Sequence, residues 1–172
     1  RRPQADREGS PQLLADNSEG CCFLAVVGAS GSGKSSVVRA GVVPALQRGG
    51  PLADGTLPPE GSPGWHMHVF TPTAHPLEAL AVSLTHEAES LTAATQLMDD
   101  FASDSRSLNV YAQRLFSPTA PGLTGKCRLL LVVDQFEELF TLCRSETERE
   151  TFLDNLLKAV QGGGPTQVIV VL

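Results

Sequence analysis

Aromatic side chains make up only 5% of the chain, with one Trp and one Tyr, and the charge does not lean positive. Lys and Arg number 13 against 19 Asp and Glu in 172 residues, a formal net charge of −6. A nucleic-acid binder shows itself through clustered Lys and Arg, or through aromatic platforms on which bases stack, and neither is present. Long apolar runs are also missing. No stretch approaches the roughly 20 residues that a membrane helix needs, and the N-terminus has no signal-peptide core. Cysteine is sparse: Cys21, Cys22, Cys127 and Cys143 do not follow the C-x-x-C spacing of a zinc site. These thiols are expected to pack as small hydrophobes, in keeping with a cytoplasmic location. The chain opens on Arg1-Arg2-Pro3 rather than Met and stops within Val168-Ile169-Val170-Val171-Leu172, so it reads as a piece of something longer.

What is present is a 41% hydrophobic content, enough for one core, and an alternation of strand-like and helix-like segments. Residues 1–20 are polar and broken by Pro3, Gly9 and Pro11, which suggests a linker or an incomplete N-terminal segment; residues 21–172 read as one domain. Cys22 to Val27 is a continuous apolar run, the pattern of a strand buried on both faces. From Lys34 the pattern turns helical, with Val37, Val38, Gly41, Val42, Ala45 and Leu46 on one face, and Pro44 is expected to bend or end that helix. Gly and Pro crowd residues 49–64, a loop. His66 to Thr71 is a second strand, and Pro76 opens a helix whose Leu77, Leu80, Ala81 and Leu84 recur at helical spacing. Residues 88–106 are helical in part, and Leu108, Tyr111, Ala112 and Leu115 mark another helix closed by Ser117-Pro118. A turn at Pro121-Gly122 and Gly125 leads into the third strand, Leu129 to Val133. Phe136, Leu139 and Phe140 start a short helix. Ser145 and Glu148 have capping-box spacing ahead of the apolar face Phe152, Leu153, Leu156, Leu157 and Val160. Gly162 to Pro165 stops that helix, and residues 167–172 are a fourth strand. Strands alternating with helices predict an α/β three-layer sandwich on a mainly parallel sheet, truncated at its C-terminal end.

Two motifs carry chemistry. Gly28-Ala29-Ser30-Gly31-Ser32-Gly33-Lys34-Ser35 matches G-x-x-x-x-G-K-[ST], the phosphate-binding P-loop, and lies between a strand and a helix as that mechanism requires. Its glycines let the backbone turn its N–H groups onto phosphate oxygens. Lys34 brings a charge to the β and γ phosphates, Ser35 a hydroxyl to Mg²⁺, and Ser36 extends the cradle. Downstream, an apolar strand ends in Asp134, the place of a Walker-B carboxylate that holds Mg²⁺. Glu137 and Glu138 follow within one turn, and either could orient or deprotonate an attacking water; acidic charge at a helix N-terminus is the alternative reading. The candidate set is therefore Gly28 to Ser36 for the nucleotide, Ser35 and Asp134 for the metal, and Lys34, Glu137 and Glu138 for catalysis. The cofactors are ATP, or GTP, with Mg²⁺. His66 and His68 share a strand face but lack a third ligand at suitable spacing, so a solvated pair is expected rather than a metal site. Arg39 follows the loop by one helical turn and could touch phosphate, but it is expected to pair with local acids.

Gly28 to Leu46, together with Val132-Val133-Asp134-Gln135-Phe136-Glu137-Glu138-Leu139-Phe140-Thr141-Leu142-Cys143, resembles the STAND class of signal-transduction NTPases, particularly bacterial members with C-terminal WD repeats. Trp65 and Thr71-Pro72-Thr73-Ala74-His75-Pro76-Leu77 are similar to the segment those proteins place after their second strand. The acids at 137 and 138 resemble the Walker-B arrangement of the NACHT branch, with Glu for Asp at 137. The resemblance covers about residues 20–172. It implies a switch in which ATP binding and slow hydrolysis couple to homo-oligomerisation, with sensor repeats downstream and a sensor arginine after the fourth strand. A transporter ATPase of the ABC type would need an LSGGQ-like signature, absent from residues 106–128, and Glu where Gln135 stands. A non-hydrolysing nucleotide-binding scaffold and a DNA-associated ATPase of the AAA+ kind stay open.

Overall fold

The structure, a computed structural model, describes residues 22–85, 91–116, 128–161 and 164–172. In chain order it comprises β1 (Phe23–Val26), then a continuous helical run of α1 (Lys34–Ser36), a π-helical stretch (Val37–Val42) and α2 (Val43–Arg48). There follow β2 (His66–Phe70), α3 (Pro76–Leu84), α4 (Leu91–Ser103), α5 (Ser107–Leu115), β3 (Leu129–Val133), α6 (Glu138–Thr141), α7 (Glu146–Gln161) and β4 (Thr166–Val171). All pairings are parallel, and the strand order is β1-β4-β3-β2. The chain crosses from one edge of the sheet to the other between β1 and β2, then returns inward through β3 and β4.

Alternation along the central strands sorts side chains onto two faces. Leu129, Leu131, Val133, Val168 and Val170 meet residues of α3 to α7, while Leu130, Val132, Ile169 and Val171 meet Val38, Val43 and Trp65. Helices therefore cover both faces, giving the three-layer α/β architecture expected of a P-loop NTPase. β3 has neighbours on both edges and both faces, which is why every one of its residues is buried. Each such aliphatic contributes about 1.5–3 kcal/mol over an exposed one. Asn155 on α7 is buried without any apolar signal to predict it. Its amide donates to the carbonyls of Phe101 and Thr151, both at 2.9 Å, and its oxygen accepts from Leu108 N–H at 3.4 Å. One side chain thus satisfies backbone groups at the end of α4 and the start of α5, where each helix leaves unpaired groups. At the start of α7, Ser145 Oγ accepts the Glu148 N–H at 3.2 Å, as the capping spacing predicts, while the Glu148 carboxylate turns to His75 Nδ1 at 3.8 Å.

Two expectations are corrected. β1 is not buried on both faces: among the described residues it is an edge strand paired only with β4, and Phe23 and Leu24 are 40% and 53% exposed. An apolar run reports hydrophobicity, not whether a neighbour arrives to cover it. Pro44 does not end its helix. It sits in the first turn of α2, and the helix continues to Arg48. Proline cannot donate to the carbonyl four residues back and its ring collides with it. The π register of the preceding turn accommodates this, and Val43 N–H bonds Val38 O, five residues away. The five-residue period puts Val38 and Val43 against the sheet, whereas Val37 of the expected apolar face is 61% exposed. Val37, Gly41, Ala45 and Leu46 instead line an open apolar groove against Leu52, Leu57 and Pro58. Of the cysteines, Cys143 packs in the core as a reduced thiol and Cys22 is half-buried just before β1. The expected breaks at Ser117-Pro118, Pro121-Gly122 and Gly125 lie outside the described residues, as do Cys21 and Cys127.

α2 ends at Gly49, with φ +64 and its N–H on Ala45 O at 3.1 Å. A Cβ there would lie 2.4 Å from Pro63 Cγ, while one at Gly50 would meet nothing within 4 Å. Gly49→Ala should therefore lower stability by at least about 2 kcal/mol, from left-handed strain plus collision. Gly50→Ala should change it by less than about 0.5 kcal/mol. Urea denaturation of the two variants checks the contrast, which equal midpoints would contradict.

Candidate functional site

All four strands point their C-terminal ends to one edge of the sheet, and two of the connecting segments meet there around β4. Gly28 N–H bonds Leu172 O at 3.2 Å, and Phe136 N–H bonds Val171 O at 2.9 Å. The segment after β1 and the segment after β3 thus both anchor on the strand between them. In an open parallel sheet this edge is where ligands collect.

Residues 28–36 form a tight loop running into α1. Ser32 N–H closes a turn on Ala29 O at 3.2 Å, and Gly31 and Gly33 take φ of +76 and +88. Gly33 immediately precedes Lys34, so the chain enters the helix through a left-handed residue that a side chain would strain. Among the described residues, the N–H groups of Ser30, Gly31 and Gly33 donate to no carbonyl. Lys34 folds back over the loop, Nζ donating to Gly28 O at 2.7 Å and Ala29 O at 2.8 Å. A Cβ on Gly28 would stand 3.2 Å from Ser32 Oγ and 3.3 Å from Lys34 Cδ, a tight fit that both side chains would have to shift to relieve.

Asp134 follows β3 and is 3% exposed. Its N–H bonds Phe70 O at 2.8 Å, fixing the backbone. Its Oδ1 accepts from Ser35 Oγ at 2.8 Å and from Gln135 N–H at 3.0 Å, and its Oδ2 accepts from Arg39 Nε at 2.6 Å. Burial pushes this carboxyl group up. The hydrogen bonds from Ser35 and Arg39, the Arg39 charge and the Gln135 amide together outweigh burial and hold it below the ordinary carboxylate range. Gln135 itself sits at φ +52, an uncommon conformation for a residue with a side chain. That strain turns the chain from β3 into α6 and aims the Gln135 amide back at the carboxylate.

Ser35 and Asp134, 99 residues apart in sequence, are thereby in direct contact, and Lys34 lies against its own loop. Glu137 and Glu138 are placed at the start of α6, on the same edge; Glu137 is exposed and Glu138 half-buried. Neither carboxylate has a hydrogen-bond partner among the described residues. Arg39 pairs not with a nearby acid, as expected, but with Asp134, 95 residues away. The clue was its place four residues after Ser35, on the same helix face as that hydroxyl. His68 Nδ1 donates to Ser83 O and His66 stacks edge-on against Phe116 at 5.4 Å, so the two rings serve different contacts.

Residues 6–172 match the family model described as Novel STAND NTPase 1. The chain belongs to the Novel STAND NTPase 1 family. No curated protein and no solved structure matches it. Membership in this NTPase family makes a nucleotide-binding switch domain the general function, and among the described residues no helix is long and apolar enough to cross a membrane.

The strain at Gln135 gives a test of the turn. Gln135→Gly should stay within about 0.5 kcal/mol of the parent, relief of strain offsetting the extra freedom of the unfolded chain. Gln135→Val should cost about 1–2 kcal/mol, because a β-branched side chain tolerates positive φ poorly. Chemical denaturation should rank glycine above valine, and the reverse order would contradict the left-handed turn.

Proposed function

We propose that this Novel STAND NTPase 1 domain binds Mg·ATP at Gly28 to Ser36 and hydrolyses it as the switch of a signalling or defence protein. The observation that carries the reading is the 2.8 Å contact between Ser35 Oγ and Asp134 Oδ1, which joins the loop motif to the strand-end carboxylate. A hydroxyl beside an ionised carboxylate is a hard oxygen donor set that suits Mg²⁺. Mg²⁺, when bound, neutralises charge on the β and γ phosphates. Lys34 would exchange its two carbonyl partners for phosphate oxygens, and the loop N–H groups would take further oxygens. In hydrolysis the oxygen of a water bonds to the γ phosphorus, the bond to the β–γ bridging oxygen breaks, and ADP leaves. The water's proton goes to a carboxylate, for which Glu137 and Glu138 are the candidates. GTP in place of ATP is compatible with the same phosphate cradle. Residues 21–172 would form the nucleotide-binding unit and residues 1–20 a linker. The switch reading also calls for a cytoplasmic location, for homo-oligomerisation and for downstream repeats such as WD repeats.

The second reading is a scaffold in which bound nucleotide stabilises one conformation by mass action without turnover. Its support is that phosphate binding by the loop and the Ser35–Asp134 contact need neither Glu137 nor Glu138.

Nucleotide titration of the chain should find binding weakened roughly a hundredfold in Lys34→Ala, through loss of charge-assisted contacts to phosphate. Asp134→Ala should keep nucleotide binding in EDTA but lose the gain that Mg²⁺ brings. Near-parent Mg·ATP affinity in both variants would remove the site assignment. Phosphate release should fall about 10²–10⁴-fold in Glu137→Gln or Glu138→Gln while ATP still binds. Unchanged release in both would clear the two glutamates of a catalytic role, and no release from the parent would leave the scaffold.

A further inference from the structure

The Asp134 carboxylate is already in use on both oxygens, and one of its three donors is a cation. We propose that Arg39 is a displaceable counter-ion for Asp134, one that a divalent cation arriving with nucleotide must push aside, so that Arg39 sets how much Mg²⁺ the site demands. The inference rests on the Mg·nucleotide reading above and adds a regulatory residue to it.

The lone pairs come first. A carboxylate oxygen offers about two acceptor sites. On Oδ1 they are taken by the Ser35 hydroxyl and the Gln135 amide; on Oδ2 one is taken by Arg39 Nε at 2.6 Å. The oxygen with room for a cation is thus the one beside the guanidinium. A guanidinium cannot shed its charge at any working pH, so a dication at that oxygen is repelled by Arg39 unless the side chain moves.

Arg39 is built to move. Its side chain is 50% exposed while that of Asp134 is 5% exposed, so one partner is fixed in the core and the other reaches in from solvent. The bond is made through Nε alone, not through the two-pronged fork that makes arginine–carboxylate pairs tenacious. Release therefore needs only rotation of a solvated side chain. The backbone beneath it stays in place, because Arg39 lies in the π-helical stretch between Val38 and Val43, both of which are held against the sheet.

Two roles for Arg39 predict opposite signs. A residue that merely holds Asp134 in position would, when removed, raise the Mg²⁺ requirement. A competitor would, when removed, lower it. The experiment is a Mg²⁺ titration of the full chain at fixed, subsaturating fluorescent ADP, with nucleotide affinity in EDTA measured alongside. Arg39→Gln should lower the Mg²⁺ midpoint about fivefold, the scale of a strong, partly exposed ion pair. Its affinity for ADP in EDTA should stay within twofold of the parent. Should Arg39→Gln fail to fold by circular dichroism, Arg39→Met, which keeps the alkyl stem, replaces it with the same expected shift. A midpoint that is unchanged or raised overturns the proposal while leaving the nucleotide site standing. A parent chain that binds no nucleotide with or without Mg²⁺ removes both.

Discussion

The carboxylate of Asp134 is the point at which the loop after β1 and the buried centre of the sheet are tied together. It is almost wholly withdrawn from water, and an unpaired charge there would be costly. Its three donors, a hydroxyl on α1, a guanidinium on the π-helical stretch and the backbone amide of Gln135, come from two regions of the chain. The position of β3 therefore sets the position of Asp134, and Asp134 in turn sets the rotation of the helical run about its own axis. Nothing else among the described residues bonds a side chain of α1 to the segment after β3.

That constraint explains why β4 is the strand in the middle. Its end accepts N–H groups from Gly28 on one side and Phe136 on the other, so the two functional segments lean on a common support. Parallel pairing of β4 with β1 and with β3 keeps their C-terminal ends level, with Val26 opposite Val171 and Val133 opposite Val170. A register slip of one residue would carry the loop and the carboxylate apart by a rise of about 3.3 Å and turn the buried face of the strand outward.

Most of this was legible in the sequence, for reasons that differ from element to element. The run Leu129 to Val133 read as a buried strand because its surroundings leave no polar position, and the loop motif read as a strand-to-helix turn because its glycines and Lys34 permit little else. Edge position was not legible. Phe23 to Val26 is as apolar as a central strand, and only the order of pairing reveals that its outer edge has no partner among the described residues. Pro44 misled because the usual penalty assumes an α-helical register, and the chain avoided the penalty by changing register. Asn155 carries no pattern at all: its burial follows from two helix ends that happen to converge on it. Arg39 was legible in part: its place four residues after Ser35 sets it beside that hydroxyl, but that the end of β3 meets them both is a fact of the tertiary fold.

A π turn is an α-helix with one residue more than its length calls for. The stretch from Val37 to Val42 can thus be viewed as an insertion tolerated at the mouth of the site. Removing any one of its residues would not simply shorten the helix. It would close the turn to α-helical register and so return the Pro44 ring to the carbonyl it now avoids. Substitutions on this segment can be absorbed one by one, but its residue count cannot change, so variation here should spare length even where it alters identity.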